Sequence, residues 1–125
     1  YGLNLGTAFQ LIDDLLDFTS TDDALGKASG ADLLGGKVTL PLIYWRESNP
    51  SALETIRQLL SDGSYETMGQ RELLEALRST NALERARNLA DEYATNARAA
   101  LEILPDTEYC DSLRALPSYV LNRDR

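Results

Sequence analysis

Three carboxylates interrupt an apolar run near the start of this 125-residue chain. Residues 10–17 read Gln-Leu-Ile-Asp-Asp-Leu-Leu-Asp. On an α-helix, Asp13, Asp14 and Asp17 would project from neighbouring positions of one side, because residues three and four apart share a face. Unpaired like charges at this spacing destabilise a helix, and carboxylates beside a core are costly unless something neutralises them. The run therefore predicts a helix whose acidic side needs a positively charged partner.

A hard divalent cation is the natural neutraliser of this acidic side. Mg²⁺ takes one or two carboxylates together with water and substrate phosphate. The alternative is a solvated acidic face, which is what most charge clusters are. A helix solvated on all sides is unfavourable here, because apolar residues surround the carboxylates in sequence: Phe9, Leu11, Ile12, Leu15 and Leu16. We therefore favour a metal site at Asp13, Asp14 and Asp17, with Asp13 as the first choice for a direct ligand.

The pattern predicts an all-α fold, because apolar residues recur at helical spacing and no segment alternates with period two for long enough to be a strand. The first helix is apolar over most of its circumference and is expected to be buried within a bundle. Residues 19–36 are rich in Gly, Ser, Thr and Asp and read as a loop. Ser51 with Glu54 matches a capping box, and Asp106 or Thr107 is the candidate N-cap of the last helix. Further helices are predicted at 41–47, 51–60, 67–78, 81–104 and from the last cap to the C-terminal end.

Composition narrows the classes of function. With 43% hydrophobic residues the chain can bury a core, and no apolar run approaches the roughly 18 residues of a membrane span. The net charge of −8, without a stripe of Lys and Arg, argues against nucleic-acid binding. Cys110 is the single cysteine, which excludes a disulfide framework and a thiolate zinc site within one chain. The sequence has no His, which excludes a nucleophile activated as a Ser-His or Cys-His pair. A reducing, cytoplasmic setting fits this cysteine usage.

The acidic run is part of a longer motif, which reads Phe9-Gln10-x-x-Asp13-Asp14-x-x-Asp17, Gly26-Lys27 and Gly30-x-Asp32-Leu33-x-x-Gly36-Lys37-x-Thr39-Leu40-Pro41-Leu42. A second run near the C-terminus reads Leu101-x-x-Leu104-Pro105, Tyr109, Leu113, Leu116, Tyr119-Val120 and Arg123. The first region resembles the second aspartate-rich motif and the lysine-bearing loop of the trans-isoprenyl diphosphate synthases. The second is similar to the tail of their octaprenyl- and heptaprenyl-type members. These enzymes elongate allylic diphosphates with isopentenyl diphosphate.

The resemblance implies an isoprenoid-synthase helical bundle, in which residues 1–125 form the C-terminal part of a single polyprenyl synthase domain. The family's first aspartate-rich motif and its upstream Gly-Lys-Arg segment do not occur in these residues. We therefore expect the chain to be about 40 per cent of a larger all-helical domain and to be inactive alone. For the full-length protein, the resemblance implies a homodimer.

The resemblance also implies roles for residues of the first helix. Asp13, Asp14 and Asp17 would hold Mg²⁺ that bridges to the allylic diphosphate. Gln10 would face the active site, where it could hydrogen-bond substrate or fix a carboxylate. Phe9 would line the active-site cavity, and plain core packing is an equally weighted alternative for this side chain.

Two lysines of the glycine-rich loop, Lys27 and Lys37, stand where the family places contacts to the diphosphate. A Lys is a flexible point charge suited to phosphate oxygens, and glycines let the backbone come close. An ordinary surface loop is the alternative. Asp32 is expected to order this loop rather than to bind metal. Arg123 and Arg125 are expected to be solvated, the alternative being an approach to the mouth of the active site.

Three functions compete for this sequence. The first is a Mg²⁺-dependent prenyltransferase that condenses isopentenyl diphosphate with an allylic diphosphate. The second is a non-catalytic subunit of a hetero-oligomeric prenyl synthase, and the third is a related helical lyase such as a terpene cyclase. The chain keeps all three aspartates and both lysines, which non-catalytic subunits usually lose, and terpene cyclases lack the Gly-Lys-x-Thr-Leu-Pro ending. The resemblance therefore favours the prenyltransferase.

Overall fold

A computed structural model describes residues 1–20 and 30–124 of the chain. These residues form helices and no strand, which confirms the all-α prediction. None of these helices is long and apolar enough to cross a membrane. The helices are α1 (Gly2–Thr19), α2 (Ala31–Leu34), α3 (Leu40–Ser48), α4 (Ala52–Asp62), α5 (Gln70–Ser79), α6 (Ala82–Ala99) and α7 (Glu108–Leu121).

Helices α1 and α6 form the main pair of the bundle. Helix α6 presents alanines at every fourth position, and the side chains of Ala86, Ala90 and Ala94 are fully buried. Because a methyl group projects little, the two helix axes can come close. On α1 the buried side chains of this cluster are Ala8, Ile12, Leu15 and Leu16, and α7 adds Val120 and Leu121. This packing fixes the rotation of α1 about its own axis.

A second core cluster lies beneath the end of α1. Leu33 of the short helix α2 is fully buried there, beside Phe18 and Trp45. Further buried members come from α3, α4 and α5, namely Leu42, Ile56, Leu59, Leu73 and Leu77. Burying Leu33 holds α2 against the bundle, and so brings the backbone before α2 close to the last turn of α1.

One expectation for the first forty residues is wrong, and another stays a prediction. Within these 125 residues, α1 packs against α2, α3, α6 and α7, and Leu3 is 84% exposed. Burial of the exposed side of α1 in a larger domain stays a prediction. Residues 31–34 are helical rather than part of a loop, since a four-residue helix is too short to show a periodic pattern. The rest of the predicted loop includes residues 21–29, which lie outside the described residues.

The capping predictions had opposite outcomes. Thr107 has extended backbone angles, and its side chain accepts a hydrogen bond from the Cys110 N–H at 3.2 Å, as an N-cap does. Ser51 has helical angles and makes no capping bond, so the predicted capping box with Glu54 is wrong. The Ser51 hydroxyl instead donates to Asn49 Oδ1 at 2.7 Å. The pattern could not separate the two cases, because the backbone angle of the cap residue decides whether its oxygen reaches the free N–H groups.

The two caps give a matched pair of stability predictions. Thr107→Ala should lower the free energy of unfolding by about 0.5–2 kcal/mol, because it leaves the N-terminus of α7 uncapped. Ser51→Ala, the control, removes an exposed hydroxyl with no capping bond and should change stability by less than about 0.5 kcal/mol. Urea denaturation of both variants measures the difference, and equal losses would contradict the cap assignment.

Candidate functional site

The acidic side of α1 faces away from α6. Asp13 is exposed, while Asp14 and Asp17 are partly buried. Gln10 Nε2 donates a hydrogen bond to Asp14 Oδ1 at 2.9 Å, one turn along the helix. The structure therefore places Gln10 and the three aspartates on one side of α1, and Gln10 fixes a carboxylate.

The first turn of α2 contacts Asp17. The Asp32 N–H points at both oxygens of the Asp17 carboxylate, at 3.2 and 3.4 Å from the nitrogen. Lys37 Nζ in turn lies 2.8 Å from Asp32 Oδ1. Asp32 thus orders this segment and holds the Lys37 ammonium beside the acidic side of α1. Lys27, the other predicted diphosphate contact, lies outside the described residues.

Burial and charge act together on the partly buried carboxylates. Burial raises the pKa of Asp14, and the charges of Asp32 and Asp13 add to this, against the lowering effects of the Gln10 hydrogen bond and Lys37. Burial also raises the pKa of Asp17, and the charge of Asp32 again adds to it. The N–H groups of Asp32 and Ala31 and the charge of Lys37 lower the pKa of Asp17 in part. Burial therefore disfavours the ionised form of both carboxyls more than their neighbours favour it, and a bound cation would favour that form.

The donor set fits Mg²⁺ as a partial site. Carboxylate oxygens are the ligands that a hard cation prefers, and Mg²⁺ completes an octahedron with water and phosphate. Among residues 1–20 and 30–124, no three or more His, Cys, Asp or Glu side chains are positioned to hold one metal ion. Asp13, Asp14 and Asp17 therefore do not form a complete ligand set for one ion by themselves, and a bound ion would need further ligands.

Arg123 lies beside the acidic side of α1, which agrees with the alternative that the sequence analysis left open and not with the preferred one. We expected a solvated terminus, but the Arg123 side chain is only 17% exposed and its Nη2 lies 3.6 Å from Asp13 Oδ1. Its guanidinium stands 4.2 Å from the centre of the Phe9 ring, a cation–π geometry. Phe9 itself is 44% exposed, so it does not belong to the core. Arg125 lies outside the described residues.

Tyr65 is a neighbour of the site that the sequence did not predict. Its hydroxyl donates to the Gly30 carbonyl oxygen at 2.7 Å, across 35 positions of sequence. Burial, with a smaller contribution from the charge of Asp17, raises the pKa of Tyr65 to about 12, so the phenol stays a hydrogen-bond donor. No local pattern marks this tyrosine, because its partner is a backbone atom of a distant turn.

A cavity of about 450 Å³ lies beside the opposite side of α1. Its lining is mixed: the apolar residues are Ile12, Leu15, Leu16 and Leu83, and the polar or charged residues are Thr19, Glu84, Arg87, Arg123 and Asp124. None of the three aspartates of α1 lines this cavity. Arg123 lines the cavity and also contacts Asp13, so it connects the cavity with the acidic side of the helix.

Comparison with known proteins identifies the family. A model of the polyprenyl synthetase family matches residues 1–77 of the chain. The chain belongs to the polyprenyl synthetase family. It is similar to the octaprenyl diphosphate synthase of Escherichia coli, with 42% identity over 126 residues that cover 100% of this chain and 39% of that protein. It is also similar to heptaprenyl diphosphate synthase component 2 of Bacillus subtilis, with 35% identity over 98% of this chain and 34% of that protein.

A solved structure gives the same result for the fold. The polyprenyl synthase from Caulobacter crescentus, complexed with calcium and isoprenyl diphosphate, matches with a TM-score of 0.87 and 35% identity, over 100% of this chain and 38% of that chain. The resemblance seen in the sequence is therefore confirmed. The chain spans about two fifths of the length of the relatives it matches.

The raised pKa values give a test of the acidic patch. Because the pKa of Asp14 is raised in the folded protein, protonation of this carboxyl stabilises the fold. This contribution is complete below pH 3.8, the ordinary pKa of the group, and is lost as the pH rises through the raised pKa. Asp14→Asn keeps an acceptor for Gln10 and removes this loss. The variant should therefore gain stability relative to the natural protein as the pH rises from about 4 to about 8 in metal-free buffer.

Urea midpoints across this pH range measure the effect. Asp91→Asn, on the exposed side of α6, controls for the loss of a surface aspartate. If Asp14→Asn and Asp91→Asn show the same pH dependence, ionisation of Asp14 does not destabilise the fold.

Proposed function

We propose that this chain supplies one wall of the diphosphate site of a Mg²⁺-dependent polyprenyl diphosphate synthase. The reaction is the condensation of isopentenyl diphosphate with an allylic diphosphate. One observation carries the proposal: in a chain of this family, Asp13, Asp14 and Asp17 share one side of α1, and Asp32 holds Lys37 beside them. Anionic ligands for a cation and a cation for phosphate oxygens thus stand together.

The chemistry needs this combination of charges. When the bond between the allylic carbon and the diphosphate breaks, negative charge develops on the leaving oxygens, and catalysis requires positive groups that stabilise it most in the transition state. Mg²⁺ held by Asp13, Asp14 and Asp17 would supply such charge. Lys37, together with Lys27 in our proposal, would contact the same oxygens. The carboxylates serve as ligands and not as a base, since the released diphosphate can accept the proton.

The named relatives support parts of this proposal. The Caulobacter crescentus enzyme is described with calcium and isoprenyl diphosphate, which supports a divalent cation and a diphosphate substrate. For the other residues, we propose that Phe9 lines the active-site cavity of the full-length enzyme and that Gln10 fixes Asp14 on the substrate side. We also propose a homodimer in a reducing, cytoplasmic setting, in keeping with the buried free thiol of Cys110.

A non-catalytic subunit is the second candidate. The Bacillus subtilis relative is named as component 2 of a heptaprenyl diphosphate synthase, so a member of this family can belong to a multi-component enzyme. Retention of Asp13, Asp14, Asp17 and Lys37 favours the catalytic role.

A product assay decides between these roles. The full natural polypeptide is mixed with farnesyl or geranyl diphosphate, labelled isopentenyl diphosphate and Mg²⁺, and the products are resolved by length. A discrete polyprenyl product supports the synthase. Binding of the diphosphate without product would favour the non-catalytic subunit. In the same assay residues 1–125 alone should form no product, and turnover by them would overturn the view that the site needs further ligands.

Asp13→Ala gives the sharpest test of the metal ligands. In the full natural polypeptide it should reduce turnover by more than about 100-fold, the size typical of losing charge stabilisation in a transition state. Asp91→Ala is the matched control, because Asp91 is an aspartate of α6 whose pairing with Arg87 is a weak surface contact of 3.9 Å. Circular dichroism checks that both variants fold, and a near-normal rate for Asp13→Ala would rule out its role as a ligand.

A further inference from the structure

Tyr65 lies in the connection between α4 and α5 and is half-buried against the second core cluster. Its hydroxyl is 2.7 Å from the carbonyl oxygen of Gly30, the residue that precedes α2. A phenol held by core packing at its ring has little freedom at its oxygen. The hydrogen bond therefore fixes the position of the Gly30 peptide group against the bundle.

Gly30 connects this hydrogen bond to Asp17. The Gly30 N–H donates to the backbone carbonyl of Asp17, in the last turn of α1, where helix carbonyls lack helical partners. Two residues later, the Asp32 N–H reaches both carboxylate oxygens of Asp17. Gly30 and the first turn of α2 thus contact Asp17 twice, at its main-chain carbonyl and at its side chain.

The contact between Tyr65 and Gly30 is close enough to require glycine. Gly30 has a φ of 76°, a region that L side chains rarely adopt. A Cβ atom at this position would also collide with the Tyr65 hydroxyl oxygen. The backbone conformation and the lack of space beside Tyr65 therefore both favour glycine at position 30.

We propose that Tyr65 is a positioning residue for Asp17. Its hydroxyl holds the turn at Gly30 so that the Asp32 N–H directs the Asp17 carboxylate. A carboxylate whose direction is fixed in advance loses less rotational freedom when it binds a cation. The role of Asp17 as a metal ligand in this inference rests on the proposed function. That Tyr65 fixes the position of Gly30 rests only on the contacts described above.

The test compares two Tyr→Phe variants of the full natural polypeptide. Tyr65→Phe removes the hydrogen bond to Gly30 and keeps the ring. Tyr1→Phe is the control, because the Tyr1 hydroxyl also donates to a backbone carbonyl, that of Leu113 at 2.6 Å, away from the acidic patch. Three quantities are measured for each: amide hydrogen exchange of residues 30–33, Mg²⁺ affinity by calorimetry without substrate, and the Mg²⁺ dependence of turnover.

Tyr65→Phe should speed amide exchange in residues 30–33 and weaken Mg²⁺ affinity, each by about 3- to 10-fold. This is the size expected for losing one hydrogen bond that helps to orient a metal ligand. The Mg²⁺ concentration for half-maximal turnover should rise by the same factor, with kcat at saturating Mg²⁺ within about 2-fold of the natural protein. Tyr1→Phe should change none of these. Unchanged exchange, or faster exchange with unchanged Mg²⁺ affinity, overturns the positioning role.

One further variant tests the same contact. Gly30→Ala disturbs the same contact at its other partner. Because both substitutions act on one contact, the double variant should lose less Mg²⁺ affinity than the two single variants lose together. Full additivity would overturn the inference. If the natural protein forms no prenyl product, the proposed function fails, and the exchange and calorimetric results alone then support or overturn the role of Tyr65.

Discussion

Helix α1 packs along α6 through alanines at every fourth position of α6, with Ala86, Ala90 and Ala94 fully buried. The short side chains allow close approach, and the larger Leu15 and Leu16 of α1 fill the space beside them. Rotating α1 would expose these leucines and bury carboxylates, and both changes are unfavourable. The acidic side of α1 therefore points away from the bundle because its other side packs so closely.

The ionisation of Asp14 and Asp17 in the acidic patch depends on burial, which disfavours it, and on hydrogen bonds, which favour it. The pKa values of Asp14 and Asp17 are raised mainly by burial, which means that the fold holds these carboxylates at a cost when they are ionised and without a cation. Gln10 and the Asp32 N–H offset part of this cost through hydrogen bonds. Without a bound cation these partly buried carboxylates therefore reduce the stability of the fold, which is a common compromise at functional positions.

Segments far apart in sequence meet at this patch. Tyr65 reaches the turn before α2, and Arg123 reaches from the end of α7 to Phe9 and Asp13. Lys37 is held by Asp32 rather than by α1 itself. The carboxylates of the patch thus lie on one helix, and groups from other elements contact them or the segment beside them. This arrangement suits a site whose ligands must be held in fixed directions.

Local patterns predicted much of this arrangement. Helical periodicity identified the all-α class and located α3 within one residue at each end, at Leu40–Ser48 against a predicted 41–47. The three- and four-residue spacing placed Asp13, Asp14 and Asp17 on one side of α1, and the motif led to the family that the comparison with known proteins confirms. These features depend on neighbours within a turn or two of helix, where the geometry of the backbone is fixed by the residues themselves.

The tertiary structure alone decided the rest. It gave residues 31–34 a helix, left one side of α1 exposed in this chain, and brought Tyr65 and Arg123 to the acidic patch. Each of these outcomes depends on where a second element stands when the cores close. The sequence by itself determined which residues can hold charge on α1, whereas the packing of helices distant in sequence determined which groups meet that charge.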